Sequence, residues 1–340
     1  MNTSILLYKL PHRPELYFNS SKAYIINNIR EINSEEFLFA PFDLESKWPI
    51  YAFTHQATKM ISKTKLLALK PAFTLGSEPL VATSQEDHML KVASLIDILK
   101  KGEINKAVLS RVKYLKRDQL ALEQVFLQLT EKYCNAFVYL CQLPNGQIWC
   151  GASPETLAKY EEGRFETMAL AGTQSLKNKK LEEVKWEEKE LDEQKWVQDH
   201  IEAVFNKKAL PYSSSKTHTA QAGHLAHIRT QFTTHTNAAT ALDLLLDLHP
   251  TPAVCGSPTP ASKKLIQTTE NHDRIYYSGF LGVYTPLSFD LFVNLRCMRI
   301  DQEGFYLYVG GGITRDSDPK AEYLETENKA EVLKSVISEH

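Results

Sequence analysis

The sequence predicts an α+β fold made mainly of antiparallel strands, with helices set apart from them. The first reason is a pair of hairpin signals. AFVYLCQL (136–143) and QIWCGAS (147–153) flank Pro144-Asn145-Gly146, while TLAKY (156–160) and RFETMALAG (164–172) flank Glu161-Glu162-Gly163. The second is a run of three strand-like segments near the C-terminal end: IYYSGFLGVY, DLFVNLRCMRI and GFYLYVG. The third is that apolar stripes of helical spacing occur as separate blocks, not in alternation with strands, which argues against a βαβ array.

The elements follow in order. Residues 1–84 mix short strand-like runs (YIINNI, EFLFAPF, IYAF) with proline-rich breaks and carry no recognisable chemistry. Val92, Leu95, Ile96 and Leu99 share one helix face, with Gly102 placed to stop that helix. KAVLSRVKYL from Lys106 reads as a strand, and Leu122, Val125, Phe126, Leu129 and Tyr133 mark a second helix. After the two hairpins, the charged stretch from Lys179 to Lys207 carries Val197, Ile201, Val204 and Phe205 on one stripe, so an amphipathic helix is expected there. Residues 213–219 (SSSKTHT) read as a loop. Asn237 opens a helix through Leu248 that His249-Pro250 ends. Asp318 before Pro319 is a strong start for a last helix running almost to the terminus.

Composition bounds the rest. With 340 residues, 43% of them hydrophobic, the chain can bury a large core. A formal net charge of −2 gives no electrostatic case for nucleic acid or an anionic membrane surface. No apolar run approaches the roughly 20 residues that span a bilayer, and MNTSILLYKLPHRPELY lacks the basic start and long apolar core of a signal peptide. The cysteines (Cys134, Cys141, Cys150, Cys255 and Cys297) show no CxxC spacing and read as reduced thiols of a cytoplasmic protein.

GGGITRDSDPKAEYLETENK, from Gly310 to Lys329, is the segment richest in chemistry. Its glycines let a backbone approach an anion, and Glu322, Glu325 and Lys329 share one helix face. That set suits a small anionic substrate bridged by a hard cation, and equally a glycine turn leading into a solvated helix. Lys106 opens an apolar strand and either enters a pocket or caps a strand end. Glu155 in GASPETL is an exposed turn residue or, if desolvated, a general acid. His249 lies in the rigid LHPTPAVCGSP segment, and Arg296 is expected mid-strand in NLRCMRI, where it would pair with a carboxylate. His224 and His227 have the spacing of a metal pair but lack a nearby third ligand, which favours a structural role. No Walker A loop, GxSxG or zinc-spaced cysteine set is present.

Taken in order, KAVLSR (106–111), SPETL (153–157), ALAGT (169–173), HPTPAVCG (249–256), YSG (277–279), LR (295–296), GGGIT (310–314) and SDPKAEYLETENK (317–329) resemble the chorismate-utilising enzymes. That family includes isochorismate, salicylate, anthranilate and aminodeoxychorismate synthases. The resemblance covers residues 85–340, with a divergent part at 1–84, and implies one large α+β domain of the anthranilate synthase component I kind, two packed sheets with helices outside. It also implies chorismate as substrate, Mg²⁺ as cofactor and a monomer. Lys106 matches the family's general base and Glu155 its general acid. Glu325, Glu322 and Asp199 match its metal-binding carboxylates, Asp199 standing before His200 where glutamate is usual. Thr173, His249, Tyr277, Arg296, Gly312 and Lys329 match substrate-holding positions. Lysine at 106 and alanine at 171 point away from the ammonia-using and aminodeoxychorismate branches. The HPTPA segment is most similar to the isochorismate synthases, which implies conversion of chorismate to isochorismate, with menaquinone preferred to a siderophore as the destination; a salicylate synthase and an ammonia-using subunit with a glutaminase partner are the alternatives.

Overall fold

The computed structural model describes residues 4–76, 80–116, 121–176, 179–223 and 225–337. Two antiparallel sheets pack face to face. The first runs in the order Gly256–Ser257, Lys106–Lys116, Gly304–Ile313, Cys297–Ile300, Ile148–Ser153, Phe137–Gln142, Ile5–Lys9, Leu16–Asn19 and Lys59–Ile61. The second runs Tyr212–Ser214, Leu225–His235, Arg164–Ser175, Thr156–Glu161, Phe289–Val293, Phe280–Tyr284, Glu36–Ala40, Ile50–Thr54 and Tyr24–Ile26, with His218–Ala222 also paired to Leu225–His235. Strands from the first 61 residues thus enter both sheets.

The layer between the sheets is aromatic. Phe137 of the first sheet stacks on Phe292 of the second at 4.6 Å, and Tyr8, Phe37, Phe39, Tyr139, Trp149 and Tyr276 fill the same layer. Such rings bury large areas, and offset or edge-on pairs add roughly 0.5–1.5 kcal/mol each beyond burial.

Helices cover the outer faces. They are α1 (Lys63–Leu69), α2 (Gln85–Leu99), α3 (Leu122–Lys132), α4 (Glu188–Lys207), α5 (Ala238–Leu248), α6 (Thr259–Thr269) and α7 (Pro319–Ile337). α1, α3 and α7 pack on the first sheet, and α4 and α5 on the second. Caps hold their ends as the sequence suggests. Ser84 accepts from the Asp87 amide, Asn237 from Thr240 and Asp318 from Ala321. Among the described residues, no helix is long and apolar enough to cross a membrane.

Several expectations need correction. The stretch from Lys179 is not helical at its start: it makes a 3₁₀ turn at Leu181–Glu183, and α4 begins only at Glu188. Within residues 213–219 the loop is confined to 215–217: Ser213 and Ser214 end the strand Tyr212–Ser214, and His218 and Thr219 begin His218–Ala222, both paired with Leu225–His235. That long strand and α6 carried no clear periodicity. IYYSGFLGVY is extended only over Phe280–Tyr284, since Ile275 and Ser278 take left-handed φ values of 53° and 62° and turn the chain. DLFVNLRCMRI is two strands in different sheets, Phe289–Val293 and Cys297–Ile300. Arg296, with φ 47°, sits at the crossover and not mid-strand.

Candidate active site

The site grows from two places where the chain passes from one sheet to the other. Pro154 and Glu155 join Ile148–Ser153 to Thr156–Glu161, and Asn294 to Arg296 join Phe289–Val293 to Cys297–Ile300. Backbone bonds clasp the two crossovers together: Val293 N donates to Glu155 O at 3.0 Å, and Ala152 N donates to Arg296 O at 3.1 Å. Asn294 is locked by an accepted bond from Tyr139 Oη (2.8 Å) and a donated one to Tyr276 O (2.9 Å). Glu155 and Arg296 are thereby held on the wall of one cavity, which Lys106, Thr173, Tyr277, Gly312, Glu325 and Lys329 also line.

Lys106 and Glu155 are both buried, at 2% and 3% exposure. Burial pushes the Glu155 carboxyl up to about 8, against the opposing pull of Lys106, Arg296 and Lys329. A carboxyl in that state keeps its proton at neutral pH and can donate it. Lys106 Nζ lies 3.2 Å from Glu193 Oε2.

The three glycines act by what they leave out. Gly310, Gly311 and Gly312 are ladder residues opposite Ser110, Leu109 and Val108 and do not form an anion nest. A Cβ on Gly312 would stand 2.5 Å from Lys106 Cε, and one on Gly310 would stand 2.9 Å from Tyr277 Oη. A Cβ on Gly311 would stand 3.3 Å from Glu322 Oε2 and 3.7 Å from Glu325 Oε1. The bare strand therefore admits the polar side chains that reach over it from the two helices.

Those side chains form lysine–carboxylate pairs. Lys329 Nζ is 2.7 Å from Glu325 Oε1 and donates to Gly310 O at 2.9 Å. Lys189 of α4 pairs with Glu322, whose exposure is 1% and whose Oε2 has no hydrogen-bond partner. Burial and the Glu325 charge raise the Glu322 carboxyl, whereas Lys329 holds Glu325 low. Glu193, Glu322 and Glu325 are the hard oxygen donors a divalent cation would need, and Glu322 Oε2 is an acceptor without a hydrogen-bond partner. Among the described residues, no three His, Cys, Asp or Glu already stand gathered as a metal site; in this structure each of the three carboxylates is paired with a lysine.

Arg296 meets a histidine. His227 Nδ1 lies 2.8 Å from the Gly172 carbonyl, and its Nε2 lies 2.8 Å from Arg296 Nη2. A carbonyl only accepts and a guanidinium only donates, so Nδ1 carries the proton and Nε2 accepts. Burial and the Arg296 charge push the imidazole down to about 3, so it stays neutral. Arg296, although lowered to about 10 by burial, stays a cation. His227 thus orients Arg296, the structural role its sequence suggested, but inside the cavity wall. His224 lies outside the described residues.

Three expected site residues do not line the cavity: Asp199, His249 and Glu322, the last buried against Lys189 of α4. Asp199 is exposed on α4; Glu193, six residues earlier and about 240° round the helix, faces the site in its place. His249 does not line the cavity. Its Nε2 stands 3.1 Å from Phe42 O and its ring packs on Phe280, so it braces the end of α5, while Ala253 and Val254 of the same segment line the cavity. Glu193, Lys189 and His227 were the functional positions sequence reasoning missed or undervalued. Only the resemblance of a whole aligned segment could have separated Glu193 from its many acidic neighbours.

A family profile described as "Chorismate binding enzyme" matches residues 28–338. An anthranilate synthase component 1 from Aeropyrum pernix is 28% identical over 271 residues, 76% of this chain and 61% of that protein. The isochorismate synthase MenF of Pasteurella multocida is 28% identical over 290 residues, 82% of this chain and 67% of that one. The chain thus spans about three fifths to two thirds of these relatives. The structure of MenF, the menaquinone-specific isochorismate synthase from Escherichia coli, superposes with a TM-score of 0.82 at 18% identity, covering 98% of this chain and 89% of that one.

Proposed function

The chain belongs to the chorismate-binding enzyme family, and from that premise we propose that it is an isochorismate synthase, an isomerase that moves the hydroxyl of chorismate from C4 to C2. The observation that carries this reading is a protonated acid and a lysine in one cavity: Glu155, raised to about 8, and Lys106. Lys106 in its neutral form would take a proton from a water attacking C2, while Glu155 would give its proton to the departing 4-hydroxyl. One water is added and one expelled, so the balance is an isomerisation. General acid and base groups of this kind contribute roughly 10²–10⁴-fold each.

Arg296, oriented by His227, would hold the enolpyruvyl carboxylate, with Tyr277 and Lys329 on the same wall. Glu193, Glu322 and Glu325 would hold Mg²⁺, which when bound neutralises and positions the ring carboxylate. Thr173 would close the cavity beside Gly172.

Incubating the purified protein with chorismate and Mg²⁺ and resolving the products tests this. Isochorismate as the sole product is expected. Fluorescent salicylate would make it a bifunctional synthase, and product formed only with ammonia would overturn the water-activating role of Lys106. The product would feed menaquinone synthesis; a strain lacking its own isochorismate synthase for that branch should regain menaquinone when it carries this gene.

A further inference from the structure

A second cavity adjoins the catalytic one, sharing Pro154, Leu170, His227 and Arg296 as a common wall. Its other basic lining groups are Arg229, Lys132 and His12, beside Tyr133 and Cys134, and no aspartate or glutamate lines it among the described residues. Arg229 is two residues beyond His227 on Leu225–His235, so both project from one face of that strand. The other face, through Thr230, bonds to Gln194 and Gln198 of α4. Arg229 is partly buried, and its Nε is shut from solvent without a hydrogen-bond partner. Burial lowers its pKa, and among the described residues no carboxylate pulls it back. A half-buried guanidinium lacking a counter-charge is an unfavourable arrangement that an oxyanion relieves, best in the two-toothed geometry guanidinium shares with carboxylate and phosphate. Farther out, a shallow groove continues past Tyr133, Gln221 and Gly223 and adds Lys179 and Lys180 against Glu182, the one acid among its described lining residues.

We propose that this second cavity is an anion-binding vestibule, in which Arg229 takes a carboxylate of the incoming substrate before Arg296 receives it. The assignment to substrate rests on the isochorismate synthase reading, whereas the anion site itself does not. A dianion drawn down a cationic groove reaches the wall formed by His227 and Arg296, and its carboxylate is handed from one guanidinium to the next. Clefts of one sign raise association rates by roughly 10–10³-fold in a salt-dependent way, and single rim charges act mainly on the on-rate.

Inorganic phosphate is the probe for the anion site, followed by ³¹P line broadening on the full chain. Binding should saturate for the wild type and Arg229→Lys and weaken about tenfold or more in Arg229→Gln, with the melting temperature without phosphate showing that each variant is folded. Phosphate binding equal in wild type and Arg229→Gln overturns the site. Chorismate titrated against bound phosphate in a Lys106→Ala background, which blocks turnover, should displace it; chorismate that binds while phosphate stays bound overturns the assignment to substrate. In steady state, Arg229→Gln should lose about 3–10-fold in kcat/KM at low salt and flatten its ionic-strength dependence while keeping kcat. A protein that binds phosphate through Arg229 yet never turns over chorismate removes the proposed reaction and leaves the anion site standing.

Discussion

Two acidic helices close on the same cavity, and only one of them could be phased from its residues. α7 starts at a defined point, Asp318-Pro319, directly after the glycine strand, and places Glu322, Glu325 and Lys329 three, four and seven residues apart. α4 is charged at most positions of its first two turns, and its capping bond, from Glu187 N to Glu190 Oε2 at 3.0 Å, comes from one acid among many. Its apolar stripe, Val197, Ile201, Val204 and Phe205, fixes which face meets the second sheet. The face opposite that stripe, where Asp199 lies about 200° from Val197, meets solvent. Glu193 lies only about 40° from Val197, at the stripe's margin. A helix laid on a sheet touches a cavity at the sheet's edge with its margin, not with its far side, so polarity opposite the core is the wrong guide to an active-site residue.

The largest effects should come from the strand between these helices. Lys106→Ala is expected to lower kcat by roughly 10²–10⁴-fold while chorismate still binds; a variant keeping more than half of wild-type kcat would remove the base from both helices' reach. Glu155→Gln should cause a similar loss. The pH dependence has a definite sign. Glu155 acts in its protonated form and is held up to about 8, so its contribution is lost as pH rises through that value, which sets the alkaline limb of the profile. A kcat profile with no decline between about pH 7 and 9 would show that another group supplies the proton.

Glu193→Gln tests the comparison next. Removing this charge takes a hard oxygen from the carboxylate set and leaves Lys106 without its 3.2 Å partner. We expect about tenfold or more loss in kcat and a raised Mg²⁺ requirement, of the same order as Glu325→Gln. Titrating activity against Mg²⁺ in each variant decides it. An unchanged Mg²⁺ response in Glu193→Gln would place the metal on α7 alone.

The same contrast governs how far the fold could be read ahead. Hairpins announced by Gly146 and Gly163 and helices with caps were legible because local chemistry sets them. Leu225–His235 was not, because its inward face carries His227 and Arg229 and only Ile228 and Phe232 give its other face an apolar signal. The break at Asn294–Arg296 was hidden because both of its strands are apolar; what stops pairing is a side chain, Asn294, bonded across the sheets to Tyr139 and Tyr276. Lys106 and Glu155 could be named from a motif order, but their burial and mutual position depend on long-range crossovers that no local pattern encodes.

His227 should give a smaller effect, split by substitution. His227→Ala removes the acceptor that orients Arg296 and is expected to raise KM by about tenfold, the loss of a charge-assisted hydrogen bond of roughly 1.5 kcal/mol, with kcat less affected. His227→Gln, whose amide oxygen reaches where Nε2 stood, should recover most of it. Equal damage from both variants would mean that the ring merely fills space.

The smallest expected effect is the most discriminating. Asp199 shares α4 with Glu193 and has a carboxylate of the right chemistry, so a purely sequence-based match gives it a metal role. In the fold it is exposed and lines no part of the cavity, and exposed substitutions away from special features usually change stability by less than about 0.5 kcal/mol. Asp199→Ala should therefore keep wild-type kcat, KM and Mg²⁺ half-saturation, while Glu193→Gln loses kcat and raises the Mg²⁺ requirement. Steady-state kinetics at limiting and saturating Mg²⁺ separate the two residues within one helix. If Asp199→Ala instead raised the Mg²⁺ requirement as Glu193→Gln is expected to, α4 would have to rotate by about 120°, a third of a turn, on substrate binding. The margin of the stripe would then have no privileged relation to the cavity.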